Sequence, residues 1–101
     1  MTKIDKYNKK ILQYKNDDVF IIFYSEWCQY CQKTIELFDK KKLSYKAYDI
    51  DKIEGDIEVL LKYLKKWSSI TQFNKTHKTR PIIFYKGKFV GGYDDLTKKL
   101  N

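Results

Sequence analysis

The apolar segment Val19–Tyr24 is the feature that most constrains what this chain can fold into. Its sequence, VFIIFY, consists of β-branched and aromatic residues and does not alternate with polar ones. This pattern predicts a strand that is buried on both faces of its sheet, so that helices must cover each side. The segment is too short to cross a membrane as a helix, which takes about 20 residues.

Hydrophobic periodicity predicts the remaining elements. Apolar residues recur at helical spacing in 3–15, from the cysteines to about Lys41, in 56–66 and in the C-terminal DDLTKKL, whereas LSYKAYDI at 43–50 predicts a second strand. The segments PIIFYK and KFVGG flank Gly87 and predict a β-hairpin with KG at its turn. The stretch 67–80 is polar and is predicted to be irregular.

The resulting order of elements, αβαβαββα, predicts a single domain over residues 1–101 with an α/β sandwich fold. The strand–helix–strand unit implies a parallel pair of strands, and the hairpin adds antiparallel strands to the same sheet. The expected architecture is therefore a four-stranded mixed sheet flanked by helices.

The formal net charge of +8 raises the question of an anionic partner. The lysines are spread along the chain and no nucleic-acid-binding motif accompanies them, so a nucleic-acid partner is not expected. The N-terminal segment, MTKIDKYNKK, is charged and lacks the apolar core of a signal peptide. We therefore expect a soluble cytoplasmic protein that does not bind membranes. A basic interaction module that uses the fold only as a scaffold stays open as an alternative.

The two cysteines of the chain, Cys28 and Cys31, lie in the segment SEWCQYCQK. A structural disulfide between them would close so small a loop that it removes little chain entropy, and the expected compartment is reducing. A zinc site needs four ligands, whereas the chain offers this one CxxC pair and a single histidine, His77. Both alternatives stay open, but the sequence favours a redox-active dithiol.

The position of the pair at the start of a predicted helix suggests a different role for each thiol. The Cys28 sulfur would meet free backbone N–H groups and the positive end of the helix dipole, which favour thiolate over thiol. Cys31 would lie one turn further on and would be more buried. These positions predict Cys28 as the nucleophile and Cys31 as the thiol that resolves a mixed disulfide.

Three motifs occur in order along the chain: the CxxC pair after a strand, TRP at 79–81 and GGYDDL at 91–96. Together they resemble the glutaredoxin family of the thioredoxin-like fold. The resemblance implies a cis peptide bond before Pro81 and a monomer that uses glutathione as its co-substrate. It also implies reduction of protein–glutathione mixed disulfides and small disulfides, so the expected partners are glutathione and glutathionylated or disulfide-containing proteins.

A glutathione-binding site is also implied by the resemblance. The backbone of Arg80, held extended before Pro81, would pair with the main chain of the glutathione cysteine as an added strand. Gly92 would let another backbone approach closely. The N–H groups of Tyr93 and Asp94, at the start of a helix, would suit the γ-glutamyl carboxylate.

Further glutathione contacts are implied around this backbone site. Tyr30 would flank the bound sulfur. His77 and Lys78 stand where the family often has glutamine and a basic residue, of which the glutamine meets the glycyl carboxylate. Either Asp94 or Asp95 could accept a hydrogen bond from the γ-glutamyl amine, with the other capping the helix. The expected site thus draws on three separate segments of the chain.

Gln29 departs from the family pattern, which commonly has Cys-Pro-Tyr-Cys at the active site. Several glutaredoxins without that proline hold a [2Fe–2S] cluster between two subunits, through the first cysteine of each subunit and two glutathiones. The alternative function is therefore a cluster-binding carrier or sensor dimer, with Cys28 as a metal ligand. The oxidoreductase reaction itself needs no metal.

Charges around the CxxC pair depart from the family pattern as well. Ser25 stands where the family usually has lysine or arginine, and Glu26 adds a carboxylate. Arg80, the single arginine of the chain, stands where the family has an apolar residue. We hypothesise that its guanidinium compensates by supporting the thiolate and gripping a glutathione carboxylate; the alternative is a solvated side chain.

Overall fold

A four-stranded mixed sheet flanked by helices, as predicted, is formed by residues 5–101, which are the residues that this computed structural model describes. The helices are α1 (Lys6–Leu12), α2 (Gln29–Lys40), α3 (Asp56–Lys66), α4 (Ser68–Thr71) and α5 (Tyr93–Leu100), and a 3₁₀ turn covers Ile50–Lys52. The strands are β1 (Phe20–Tyr24), β2 (Tyr45–Asp49), β3 (Ile82–Tyr85) and β4 (Lys88–Gly91).

Two elements differ from the sequence-based expectation. The predicted helix over 3–15 ends at Leu12, and it begins after Asp5, whose carboxylate accepts hydrogen bonds from the first free N–H groups of α1; residues 3 and 4 lie outside the described residues. The stretch 67–80, predicted to be irregular, contains α4. The carbonyl oxygen of Trp67 accepts hydrogen bonds from the N–H groups of Ile70 and Thr71, which closes this one turn.

Strand β1 lies inside the sheet, whose strand order is β2-β1-β3-β4. It pairs in parallel with β2 and antiparallel with β3, and β3 pairs antiparallel with β4. Residues Phe20–Phe23 are all buried, as the unbroken apolar pattern predicts. Because side chains alternate along a strand, β1 contributes to two cores, with Ile21 and Phe23 on one face and Phe20 and Ile22 on the other.

Helices cover both faces of the sheet. The core that contains Ile21 also takes in Ile11 from α1 and Leu60 and Leu64 from α3, while the opposite core contains Phe38 from α2 and Leu96 from α5. Among residues 5–101, none of the helices has the length and apolar character that crossing a membrane requires.

The strand directions bring three chain segments to one end of the sheet. Strand β1 ends where the antiparallel β3 begins, and β4 ends beside that same point, since Phe23 pairs with Ile82 and Ile83 pairs with Gly91. The β3–β4 hairpin closes at the opposite end through Lys86 and Gly87. Both turn residues have positive φ, which the predicted two-residue turn requires. The CxxC loop, the segment before β3 and the start of α5 therefore meet.

Candidate active site

The two cysteines are free thiols in different environments. Cys28 is the N-cap of α2; it is 8% exposed, and its Sγ accepts a hydrogen bond from the backbone N–H of Cys31 at 3.2 Å. Cys31, in the first turn of α2, is fully buried. Cys28 thus keeps a small exposed fraction at the helix N-terminus, whereas Cys31 has none. The assignment of Cys28 as the nucleophile stays a prediction.

Burial raises the pKa of the Cys31 thiol to about 12, and its hydrogen bond with Cys28 acts in the same direction. A thiol with so high a pKa keeps its proton at neutral pH, and the protonated thiol is a poor nucleophile. Cys31 is therefore unsuited to a first attack on a disulfide. Its place one turn along the same helix leaves it able to act once Cys28 has reacted.

The peptide bond between Arg80 and Pro81 is cis, as the motif TRP implies. Pro81 is buried immediately before β3. Beside it lies a cleft of about 290 Å³. Its lining includes seven residues that the resemblance implied for glutathione: Tyr30, His77, Arg80, Pro81, Gly92, Tyr93 and Asp94. Of the two further lining residues, Asp95 was the alternative to Asp94 for the γ-glutamyl amine, whereas Thr79 was not assigned to glutathione. The predicted Lys78 is exposed and does not line the cleft.

The start of α5 forms one wall of this cleft. The Asp95 carboxylate accepts a hydrogen bond from the N–H of Gly92, the N-cap residue, at 3.2 Å. Both Asp94 and Asp95 are exposed and line the cleft, but Asp95 is the one that caps α5. Gly91 has φ +129°, and a side chain there would collide with the Asp95 carboxylate. Gly91 thus allows β4 to pass directly into α5.

His77 also lines the cleft and is half-buried. Its Nε2 lies 3.3 Å from the carbonyl oxygen of Pro81. Because a carbonyl only accepts hydrogen bonds, this contact places the proton of a neutral imidazole on Nε2. The ring packs edge-on against Phe89, with a centroid separation of 5.1 Å, and its Cε1 lies close to Gly92. His77 therefore packs between the segment at Pro81 and the start of α5 at Gly92.

The side chain of Arg80 joins a network that sequence reasoning missed. Its Nε–H donates to Ser25 Oγ at 2.7 Å, and its Nη2 donates to Asp56 Oδ1 at 2.9 Å. Asp51 accepts hydrogen bonds from Ser25 Oγ at 3.1 Å and from Trp27 Nε1 at 2.8 Å. The guanidinium is thus paired with carboxylates of this chain. One signal was available: Asp51 closely follows a strand parallel to β1, so it lies at the same edge as the CxxC loop.

The arrangement of possible metal ligands can be compared with the zinc site and the [2Fe–2S] cluster considered from the sequence. Within residues 5–101, no group of three or more His, Cys, Asp and Glu side chains is arranged to hold a metal ion. In an iron–sulfur cluster shared between two chains, each chain would supply one sulfur ligand, Cys28, since Cys31 is fully buried. The remaining ligands would have to come from outside the chain, as they do in the glutathione-ligated arrangement.

A thiol at a helix N-terminus, a buried partner thiol one turn away and a cis-proline at the same end of the sheet are the parts of a dithiol redox site. Together with the mixed sheet between helices, they define the class of thioredoxin-like thiol–disulfide oxidoreductases. Comparison with known proteins narrows this class.

The model of the Glutaredoxin family matches residues 20–90. A probable glutaredoxin of Acanthamoeba polyphaga mimivirus is 44% identical over 82 residues, which cover 81% of this chain and 77% of that protein. Glutaredoxin-2 of Schizosaccharomyces pombe is 33% identical over 79 residues, which cover 76% of this chain and 63% of that protein. A crystal structure of a buckwheat glutaredoxin–glutathione complex is 25% identical with a TM-score of 0.69, covering 96% of this chain and 81% of that one. The chain therefore belongs to the glutaredoxin family of thiol–disulfide oxidoreductases.

Proposed function

We propose that this protein is a glutathione-dependent oxidoreductase that reduces protein–glutathione mixed disulfides and small disulfides, with Cys28 as the nucleophile and Cys31 as the resolving thiol. The cleft of about 290 Å³ carries this proposal, because it lies at the CxxC end of the sheet and is lined by backbone and polar groups that suit a short peptide. The buckwheat relative of similar fold was crystallised as a complex with glutathione.

The polar groups of the cleft match the parts of glutathione. The backbone of Arg80 would pair with the main chain of the glutathione cysteine, which directs its sulfur towards Cys28. The N–H groups of Tyr93 and Asp94 at the start of α5 would bind the γ-glutamyl carboxylate, and the Asp94 carboxylate would accept from the γ-glutamyl amine. Tyr30 would cover the glutathione sulfur. The ring of Tyr93 lies beside the ring of Tyr30, with the two centroids 6.0 Å apart.

The first reaction step exchanges one disulfide for another. The Cys28 thiolate attacks the glutathione sulfur of a protein–glutathione mixed disulfide, and a Cys28–glutathione disulfide forms as the original S–S bond breaks. The protein thiolate leaves and takes up a proton. A second glutathione, after losing its proton, attacks the glutathione sulfur on Cys28 and restores the Cys28 thiolate. The incoming glutathione is thereby oxidised to the disulfide, and the protein cysteine is reduced.

Cys31 offers a second route for small and protein disulfides. Once Cys28 is bound in a mixed disulfide, its sulfur no longer carries the charge and hydrogen bond that help to raise the Cys31 pKa. Cys31 then loses its proton more readily and can attack Cys28, which releases the substrate thiol and forms a Cys28–Cys31 disulfide. Two glutathiones reduce this disulfide again. We place these reactions in the cytoplasm, where glutathione keeps thiols reduced, and assign them to the monomer.

Turnover of a cysteine–glutathione mixed disulfide, with glutathione as reductant, tests the proposal. Cys28→Ser should abolish the activity, because the serine hydroxyl is not a thiolate nucleophile. Cys31→Ser should keep a large part of it, because glutathione can replace Cys31 as the resolving thiol. Equal loss in both variants would contradict the glutathione route, and so would turnover supported by thioredoxin reductase but not by glutathione.

A further inference from the structure

Trp27 is a large apolar side chain that is 65% exposed directly before the nucleophile Cys28. It is not among the residues that line the proposed glutathione cleft. Single exposed apolar residues are ordinary on protein surfaces, so exposure alone carries no function. What distinguishes Trp27 is the set of contacts that holds it in this exposed position.

Two contacts fix the Trp27 ring. Its Nε1–H donates to Asp51 Oδ2 at 2.8 Å, and the guanidinium carbon of Arg80 lies 4.8 Å from the ring centroid. Both of these partners are themselves anchored, because Ser25 Oγ donates to Asp51 and accepts from Arg80. The ring is thus held at its polar edge and beside one face while most of its surface stays open. An aromatic side chain fixed in this way loses little conformational entropy when a partner binds.

We propose that Trp27 is a specificity-determining residue that binds the polypeptide part of a glutathionylated protein. This inference rests on the proposed function. With the glutathione moiety in its cleft, the rest of the substrate must leave over the surface that surrounds Cys28, and Trp27 forms part of that surface outside the cleft. Tryptophan is a frequent anchor in protein recognition because it buries a large area. A small mixed disulfide has no polypeptide to place against Trp27.

The charges around Trp27 indicate which polypeptides fit. Asp51 and Asp56 carry side chains that are 38% and 59% exposed, and the exposed Glu26 precedes Trp27. The guanidinium that pairs with the two aspartates is only 15% exposed. The Asp51 carboxylate thus contacts the ring, and Asp56 is linked to it through Arg80. Glu26 adds a third carboxylate next to Trp27 in the sequence, although the whole protein has a net charge of +8. A lysine or arginine near the modified cysteine would meet these carboxylates and could stack on the open surface of the ring.

The test compares kcat/KM for three substrates with glutathione as reductant. They are cysteine–glutathione mixed disulfide and two glutathionylated peptides of equal length, one with lysines and one with glutamates beside the cysteine. The unsubstituted protein should prefer the lysine peptide. Trp27→Ala should lower the ratio of kcat/KM for the lysine peptide over the small mixed disulfide by about tenfold. The control is Ile70→Ala, which removes another apolar side chain, 42% exposed, and should leave this ratio unchanged. Ile70 lies away from the site, because its backbone carbonyl accepts a hydrogen bond from Lys88 Nζ at the hairpin end of β4.

The outcomes separate the inference from the function on which it rests. If Trp27→Ala leaves the ratio within twofold of the unsubstituted protein, or if the glutamate peptide is preferred, the inference is overturned while the proposed function stands. If the unsubstituted protein turns over none of the three substrates with glutathione, the proposed function fails and the inference fails with it. Circular dichroism of the variant shows whether it is folded, and Trp27→Phe, which keeps an aromatic ring, should recover most of the lost ratio.

Discussion

Replacing Arg80 with valine is expected to destabilise the protein, although it restores the apolar residue typical of the family. The variant loses the bond from Nε–H to Ser25 Oγ at 2.7 Å and the ion pair of Nη2 with Asp56 at 2.9 Å. Ser25 is fully buried, and a hydrogen bond that involves a charged group contributes about 1.5 kcal/mol or more. Asp56 is largely exposed, so its pair adds less than about 1 kcal/mol. The expected loss is about 2 kcal/mol.

Urea unfolding followed by circular dichroism measures this loss, and thermal unfolding should show a decrease in Tm of about 10 °C. Lys46→Gln is the matched control: it removes one positive charge from an exposed residue of β2 that forms no ion pair within residues 5–101. It should change the free energy of unfolding by less than about 0.5 kcal/mol. Ser25→Ala and Arg80→Val should be less than additive when combined, because both remove the same bond.

The reasoning about Arg80 would be refuted if Arg80→Val and Lys46→Gln had equal stability, or if the effects of Ser25→Ala and Arg80→Val were fully additive. The activity of Arg80→Val tests whether the Arg80 side chain also helps to position the backbone that binds glutathione. We expect a higher KM for glutathione, because the side chain that anchors this backbone segment to the CxxC loop is gone. Arg80→Lys keeps the charge but not the planar fork and should recover only part of the stability.

Three further predictions concern other parts of the site. The pKa of Cys31 is raised in the folded protein above its ordinary value of 9.0, so the stability linked to its proton is present below pH 9 and is lost as the pH rises towards about 12. Between pH 9 and about 12, the free energy of unfolding measured in urea should fall less for Cys31→Ala than for the unsubstituted protein, by at most roughly 4 kcal/mol. Parallel plots of the free energy of unfolding against pH for the two proteins would contradict this prediction. Gly91→Ala should lose about 1–3 kcal/mol, because φ is +129° and the Asp95 carboxylate occupies the space of the new methyl group. Gly92→Ala has φ −96°, and its new methyl group would make only ordinary contacts, 3.7 Å from His77 Cε1 and 3.8 Å from the Pro81 carbonyl oxygen. It should stay folded but bind glutathione less well, and equal denaturation midpoints for the two variants would refute this contrast. Finally, anaerobic incubation with iron, sulfide and glutathione should give a coloured dimer. The Gln29→Pro variant should not form it, since proline fits the first position of α2 but restricts the turn. A colourless monomer, obtained while a known cluster-binding glutaredoxin is reconstituted in parallel, would exclude the cluster.

Local patterns were sufficient for most of the fold. The unbroken apolar run Val19–Tyr24 predicted the inner strand β1, and helical periodicity predicted α3 at 56–66 with the bounds that the structure shows. These predictions succeed because each depends on residues close in sequence. The helix α4 was missed, since its sequence is polar and its single turn is closed by the Trp67 carbonyl rather than by an apolar repeat.

The candidate site was predictable where a motif fixes the backbone, and less so where side chains meet from distant segments. The motifs around Cys28, Pro81 and Gly92 are brought together by strand directions that the topology already implied. The partners of Arg80 were missed, because Asp51 and Asp56 follow β2 and reach the site only once the sheet has formed. Only the place of Asp51 just after a strand parallel to β1 pointed to the CxxC end of the sheet. The compensation hypothesis foresaw a cation near the CxxC loop, but it did not foresee that this cation pairs with two carboxylates of the chain itself.

The covalent intermediate on Cys28 is the most direct test of the proposed reaction. The Cys31→Ser variant, incubated with oxidised glutathione, should acquire one glutathione per chain by intact mass, and peptide mapping should place it on Cys28. Reduced glutathione should then release the adduct and restore the free thiol. A Cys31→Ser protein that acquires no glutathione, or a Cys28→Ser protein that acquires it on the buried Cys31 at the same rate, would contradict Cys28 as the glutathione-accepting nucleophile.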